Sequence, residues 1–417
     1  MTARHRSWII VLGLVGGVAA CGVATPTPSQ PPAASGSALP SAALATTIAP
    51  SPSPSPSREP AGELGREIQI GALDPAWTTS ALEVVSDGES VIFSSGVADG
   101  STAEGAPDLW RYRPGAAGPE LLWQNPRRDR ALIRIGGEFG TWAFVDTGIH
   151  GEREWDLWLI PEMGAEPILL DTHPGDEAVS SLVPSFAVHQ GQIAWTAFDR
   201  GPDGPVSQLL YARAPGWEPV LVAERDAARA ELWLPSLSDT ELAYCEVIYS
   251  EDRLSDERHV YLANVLSPEL APKRLDTSGR ATMPLLLLNG GVVWKQAEPG
   301  FSMFNWGHLF HYDEVSGETR SLPTRPQEFV NYPSAGTRFV AAWGADSTAL
   351  GVYDLDLETA RLIDRYPSDG DEHMLRPNIS GDLLVWTYAI VDGLGHGPPP
   401  EIRYAFLPPA GSDRNGD

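Results

Sequence analysis

Two short stretches of the sequence carry the residue types that acid–base chemistry needs. Asp171-Thr172-His173-Pro174-Gly175-Asp176-Glu177 sets an imidazole among three carboxylates, and Asp369-Gly370-Asp371-Glu372-His373 repeats the combination far along the chain. Imidazole and carboxylate held together can pass a proton near neutral pH or hold a cation. A solvated connecting loop has the same composition. The pattern therefore nominates His173, Asp176, Glu177, Asp371 and His373 as binding candidates and assigns no catalytic residue.

Arginines form a second set. Arg128, Arg130, Arg134, Arg229, Arg280, Arg325 and Arg376 each precede or enter the opening strand of a repeated unit. A ring of guanidinium groups could clamp a ligand bearing a carboxylate, or a peptide terminus. The plainer reading pairs each with an Asp or Glu of a neighbouring unit, such as Asp226 or Glu372. The loop Phe301-Ser302-Met303-Phe304-Asn305-Trp306 adds a cluster in which Trp306 could serve as a recognition residue. Folding of that loop over its own unit explains it equally well.

Other chemistry is missing. The chain has no Gly-x-Ser-x-Gly elbow, no His-Glu-x-x-His, no phosphate-binding Gly-Lys loop and no cysteine pair for zinc. Asp354-Leu355-Asp356-Leu357-Glu358 alternates carboxylates but lacks the glycine of a calcium loop, and reads as a strand ending in a polar turn. Asn378-Ile379-Ser380 matches a glycosylation sequon but falls on a strand. Cys245, inside Leu242–Val247, reads as a small buried hydrophobe. No cofactor and no metal are implied.

The elements that must position these residues recur. Seven aromatic residues end apolar strands at Phe93, Phe144, Trp195, Tyr244, Trp294, Trp343 and Trp386, at intervals of 51, 51, 49, 50, 49 and 43 residues. Most follow a turn signal such as Asp87-Gly88, Asn289-Gly290 or Ser380-Gly381. A third strand follows each anchor, as in Asp108–Tyr112, His308–Tyr312 and Ile402–Ala405. A fourth follows in most units, as in Glu120–Trp123. Repeats of this length with four strands predict an all-β, seven-bladed β-propeller with four-stranded antiparallel blades, with six or eight blades as alternatives. The last unit lacks a fourth strand, while Arg66-Glu67-Ile68-Gln69-Ile70 is a strand without a unit. Pairing the two would close the ring. The candidate loops then gather at one end of the channel, where connections between blades meet the loops joining second and third strands.

The units resemble the TolB-like propeller repeat, in which a proline opens the first strand and an aromatic ends the second. Pro184-Ser185-Phe186 leads to Gly191 and Trp195, Ser86-Asp87-Gly88 leads to Phe93, and Pro235, Pro284, Pro333 and Pro377 hold the leading position. The resemblance spans about residues 64–409. It implies the propeller and leaves function open.

The N-terminal region gives an address. Basic Arg4, His5 and Arg6 precede the apolar run Trp8–Val18, which is short for a membrane span and suits a signal peptide. Val18-Ala19-Ala20-Cys21 resembles the lipobox of bacterial lipoproteins, which implies a lipid on Cys21. The expected organisation is a signal peptide at 1–20, a Pro/Ser/Ala-rich tether at 21–63, the propeller at 64–409 and a polar tail at 410–417. Such a protein would sit outside the cytoplasm, lipid-anchored at the outer face of the bacterial envelope. A net charge of −26, from 55 acidic residues against 29 Lys plus Arg, disfavours nucleic acid as a partner. The expectation is a monomeric binding or scaffold module for protein, peptide or glycan. The alternative is a small-molecule lyase or hydrolase working at the channel mouth.

Overall fold

The computed structural model describes residues 68–408 apart from 79–82, 96–107, 127–129, 149–153, 175–182, 252–255, 268–270, 289, 299–306, 323–330, 345–348, 366–371 and 391–400. Side chains at 131, 372–376 and 388–390 are likewise outside the description. The seven expected units become seven four-stranded antiparallel sheets. The chain folds as a seven-bladed β-propeller. Among the described residues the one helical element is the 3-10 turn Pro75–Trp77.

Each blade begins with an inner strand beside the channel. In blades 1 to 7 these are Val84–Ser86, Arg130–Glu138, Phe186–His189, Ala230–Leu237, Ala281–Leu286, Asn331–Ala335 and Glu372–Ser380. Each packs beside the next, and the last packs beside the first. Every inner strand runs from the loop-bearing end to the opposite end, where tight turns lead into the second strand. The anchors Phe93, Phe144, Trp195, Tyr244, Trp294, Trp343 and Trp386 all lie on second strands and all are buried. They help fill six of the seven apolar wedges between adjacent blades, and the wedge between blades 5 and 6 is filled by Leu287, Val293, Leu309, Val340 and Tyr353 instead. Second strands are thus buried on both faces, which is why they read as unbroken apolar runs instead of alternating ones.

Pro184 precedes its inner strand as the repeat pattern suggests, but Pro235, Pro284, Pro333 and Pro377 do not. They lie inside the inner strands, at bulges where the register slips between Trp233 and Ser236, Thr282 and Leu285, Asn331 and Ser334, and Leu375 and Asn378. At three of these the residue before proline takes a positive φ: Leu234 at 52°, Met283 at 53° and Tyr332 at 47°. A bulge takes two residues out of the ladder, so the missing proline N–H leaves no hole there.

The residue after the proline then reaches the next blade. Ser185 Oγ accepts the Leu234 N–H at 2.9 Å, Ser236 Oγ that of Leu286 at 2.9 Å, and Ser334 Oγ that of Ile379 at 3.0 Å. In blade 7 the place is taken by Asn378, whose Oδ1 accepts the Ser86 N–H at 2.7 Å. Each contact satisfies a backbone donor on the inner strand of the next blade.

The ring closes as the unpaired first strand demands. Ile70–Ala72 pairs with the third strand of blade 7, Ile70 opposite Ala405 and Ala72 opposite Arg403. The pairing begins where the expected Arg66–Ile70 ends. Ile68 instead packs against the wedge between blades 6 and 7.

Candidate functional site at the loop-bearing end

The two ends of the channel differ. At the turn end Glu138 of blade 2 accepts a hydrogen bond from Ser380 Oγ of blade 7 at 2.7 Å. Its other oxygen lies 2.6 Å from His189 Nδ1 of blade 3, and His189 Nε2 lies 2.9 Å from Asp239 of blade 4. The Phe139 ring lies against Gly88 and Gly381 of blades 1 and 7. A Cβ on Gly88 would stand 2.8 Å from that ring, so glycine is needed there. Burial pulls the His189 pKa down, but the hydrogen bonds to Glu138 and Asp239 outweigh it and hold it above the ordinary value. These contacts obstruct the turn end of the channel.

The residues nominated from sequence are spread around that end. Arg130 is buried and carries three carboxylates: Asp146 at 2.9 Å, Glu154 at 2.6 Å and Asp156 at 3.2 Å. Arg134 donates to the Pro184 carbonyl at 2.7 Å. Arg229 is exposed, 3.6 Å from Asp226. Arg280 is half-buried, in an isolated bridge with Arg258. His173 is buried and stacks on Trp155, with ring centroids 5.7 Å apart. Asp171, in the same stretch, accepts the indole N–H of Trp195 at 2.8 Å. Cys21, Arg128, Asp176, Glu177, Trp306 and Asp371 lie outside the described residues, and of His373 and Arg376 only the backbone is described. The described members therefore do not converge. Among the described residues no group of three or more His, Cys, Asp or Glu is arranged to hold a metal.

One cation departs from this pattern, and sequence reading passed over it. Lys295, on the second strand of blade 5, is completely buried. Its Nζ donates to Asn331 Oδ1 at 2.6 Å, at the start of the inner strand of blade 6. Asn331 is itself buried, and among the described residues no carboxylate pairs with the ammonium. Burial alone lowers the Lys295 pKa to about 8. A buried ammonium without countercharge is costly, so such a group is a site candidate on physical grounds. The signal lay in the repeat. The residue after each aromatic anchor is Ser94, Val145, Thr196, Cys245, Lys295, Gly344 and Thr387, small in six blades and a lysine in one.

No protein-family model matches the chain, and no curated protein matches it. Solved structures do. An oligogalacturonate lyase from Vibrio parahaemolyticus superposes with a TM-score of 0.53 at 12% identity, over 84% of this chain and 99% of that one. An oligogalacturonate lyase in complex with manganese gives 0.53 at 13% identity, over 82% and 93%. The β-propeller domain of the Trilobed protease from Pyrococcus furiosus gives 0.52 at 8% identity, over 78% and 92%. The likeness is one of fold. That protease domain is described as having an open velcro topology, whereas here Ile70–Ala72 completes the last blade.

Proposed function

We propose that this protein is a binding propeller that takes an acidic ligand, a carboxylate-bearing peptide, protein segment or glycan, at the loop-bearing end between blades 5 and 6. The observation that carries this reading is the buried Lys295 ammonium on Asn331 with no carboxylate partner among the described residues. Arg130 is neutralised by its own blade, so its charge is spent on structure. Lys295 keeps its charge for something else. An anionic group brought by a ligand would supply the countercharge and gain from the low dielectric around it.

The address belongs to the same proposal. A lipid on Cys21 and a proline-stiffened tether over 21–63 would hold the TolB-like propeller off the outer face of the envelope, with the membrane as its other partner. Binding of oligouronates and of acidic peptides, measured by titration calorimetry beside their carboxyl-reduced or amidated forms, tests the reading. Acidic ligands should bind in a salt-sensitive way, and Lys295→Met should weaken them at least tenfold. Equal binding of the neutral forms, or indifference to Lys295→Met, would sink it.

A lyase reading draws on the same residue. With a pKa of about 8 the amine is partly neutral near pH 8 and able to accept a proton. Incubation with oligogalacturonate, the substrate named for two of the similar structures, should then yield an unsaturated product that the Lys295→Met protein does not form. Binding without any such product would leave the protein a binding module.

A further inference from the structure

A cleft of about 530 Å³ opens between blades 1 and 2 at the turn end, away from Lys295. Arg111, on the third strand of blade 1, forms its depth. It is 5% exposed and its guanidinium lies over the Trp142 ring, 5.4 Å from the centroid. Its Nε donates to Ser90 Oγ at 2.8 Å. The nearest carboxylates stand beyond hydrogen-bonding distance, Asp87 at 3.7 Å and Glu89 at 4.0 Å.

Asp87 is committed elsewhere. Its Oδ1 accepts the Ser90 and Glu89 N–H groups at 2.7 and 3.1 Å, and its Oδ2 accepts the Trp142 indole N–H at 3.2 Å. Burial holds its pKa above the ordinary value, against the pull of those donors and of Arg111. It is an ion-pair partner of Arg111 at 3.7 Å, with its hydrogen bonds taken by other donors. The terminal N–H groups of Arg111 are left without a hydrogen-bond acceptor among the described residues.

The rest of the lining carries both charges and an apolar wall. Arg113, just past the end of the strand Asp108–Tyr112, also lines the cleft. Glu89 is exposed at the rim, where Glu162 also lies. Phe139 and Met163, both partly exposed, supply apolar surface from blade 2. Phe139 takes a φ of 46°, a conformation bulky residues rarely adopt, with its N–H donating to the Asp87 carbonyl at 2.8 Å.

We propose that this cleft is a site for a free apolar α-amino acid, its carboxylate on Arg111 and Arg113, its ammonium on Glu89, and its side chain against Phe139 and Met163. An α-amino acid holds its two charges next to each other on one carbon. The 4.0 Å between Arg111 Nη2 and Glu89 Oε2 matches that arrangement. An anion alone would meet the rim carboxylates, and a cation alone would meet the two guanidinium groups. A zwitterion satisfies both.

The test is a calorimetric or saturation-transfer titration of the whole protein with L-leucine and L-phenylalanine. The same compounds are run as amides, which lack the carboxylate, and as N-acetyl derivatives, which lack the ammonium. Free amino acids should bind saturably, and each blocked form at least tenfold more weakly. The surface variants Glu89→Gln and Arg113→Gln should each weaken binding several-fold with an unchanged melting temperature, while Lys295→Met leaves it intact. Absence of saturable binding, or equal binding of the blocked forms, overturns the assignment. Loss of this binding in Lys295→Met would also overturn it, by tying the cleft to the other end.

Discussion

Asn378 Oδ1 accepts the backbone N–H of Ser86 at 2.7 Å, joining two residues 292 positions apart. Asn378 belongs to the last blade and Ser86 to the first, so this one contact spans the seam at which the chain's two ends meet. Removing the acceptor leaves a partly buried N–H unsatisfied, which costs on the order of 1–3 kcal/mol. Asn378→Ala should therefore lower unfolding free energy by about that amount, with hydrogen exchange rising first in blades 7 and 1. Unchanged denaturant midpoints would show that the seam is held by its apolar wedge alone.

The closing strand gives a second handle on the same seam. A Cβ on Gly71 would run into the Tyr404 ring of the neighbouring strand. Gly71→Val, like deletion of residues 68–72, should loosen blade 7 ahead of the rest of the ring. Cooperative unfolding at the wild-type midpoint, read by tryptophan fluorescence, would refute the closure as a source of stability.

Lys295 should show a conflict between stability and function. Its pKa of about 8 against an ordinary 10.5 amounts to roughly 3 kcal/mol of unfavourable burial at neutral pH. The folded pKa is depressed, so the unfolded chain binds more protons between the two values, and stability rises with pH across that window. Lys295→Met removes the charge and keeps much of the volume. It should raise the melting temperature at pH 7 and flatten the rise toward pH 10. A fall in stability would mean that the ammonium is a structural tie to Asn331.

Two buried histidines should titrate in opposite senses. Burial lowers His189, but Glu138 and Asp239 overcome it and raise the net pKa above 6.5. Its stabilisation is fully present below 6.5 and lost as pH rises through the folded value. His311, near Arg320, has no hydrogen-bond partner on either ring nitrogen among the described residues. Burial, then the Arg320 charge, lower its pKa. The stability that depends on its neutral form is complete above 6.5 and lost as pH falls toward the folded value. NMR titration of the imidazole resonances, with His189→Gln and His311→Gln for assignment, should show one curve displaced to each side of 6.5.

Cys245 is 1% exposed, and burial pushes its thiol up to about 12. A thiolate reagent should leave it unmodified in the native protein and label it fully in denaturant. Mass mapping of the labelled peptide provides the readout. Rapid native labelling would contradict the burial of its sulfur against Ala281 of the next blade.

The fold was legible because the propeller writes its repeat in large side chains. Phe93 through Trp386 are spaced by blade length and each must fill a wedge, so their positions follow from arithmetic on the sequence. The closing strand was visible as an orphan, but its pairing starts at Ile70, because register depends on the partner strand and on Gly71 passing Tyr404. The site was less legible. Arg130 and His173 have the right chemistry, yet sequence does not say that Asp146 and Trp155 fold onto them. Lys295 was hidden for the opposite reason. In Val-Val-Trp-Lys-Gln-Ala a lysine reads as a solvent-facing alternate, and only comparison with Ser94, Thr196 and Cys245 at the same place in other blades exposes it. The prolines announced the repeat but not the bulges, since their serine partners act on the next blade.

Phe139 and the Glu138–His189–Asp239 contacts lie across the turn end of the channel like a crossbar, with Ser380 of the last blade fastened to the same carboxylate. Under the proposed reading an acidic polymer would be gripped by a terminus or a side branch and not threaded from end to end, so its length should matter little to its affinity.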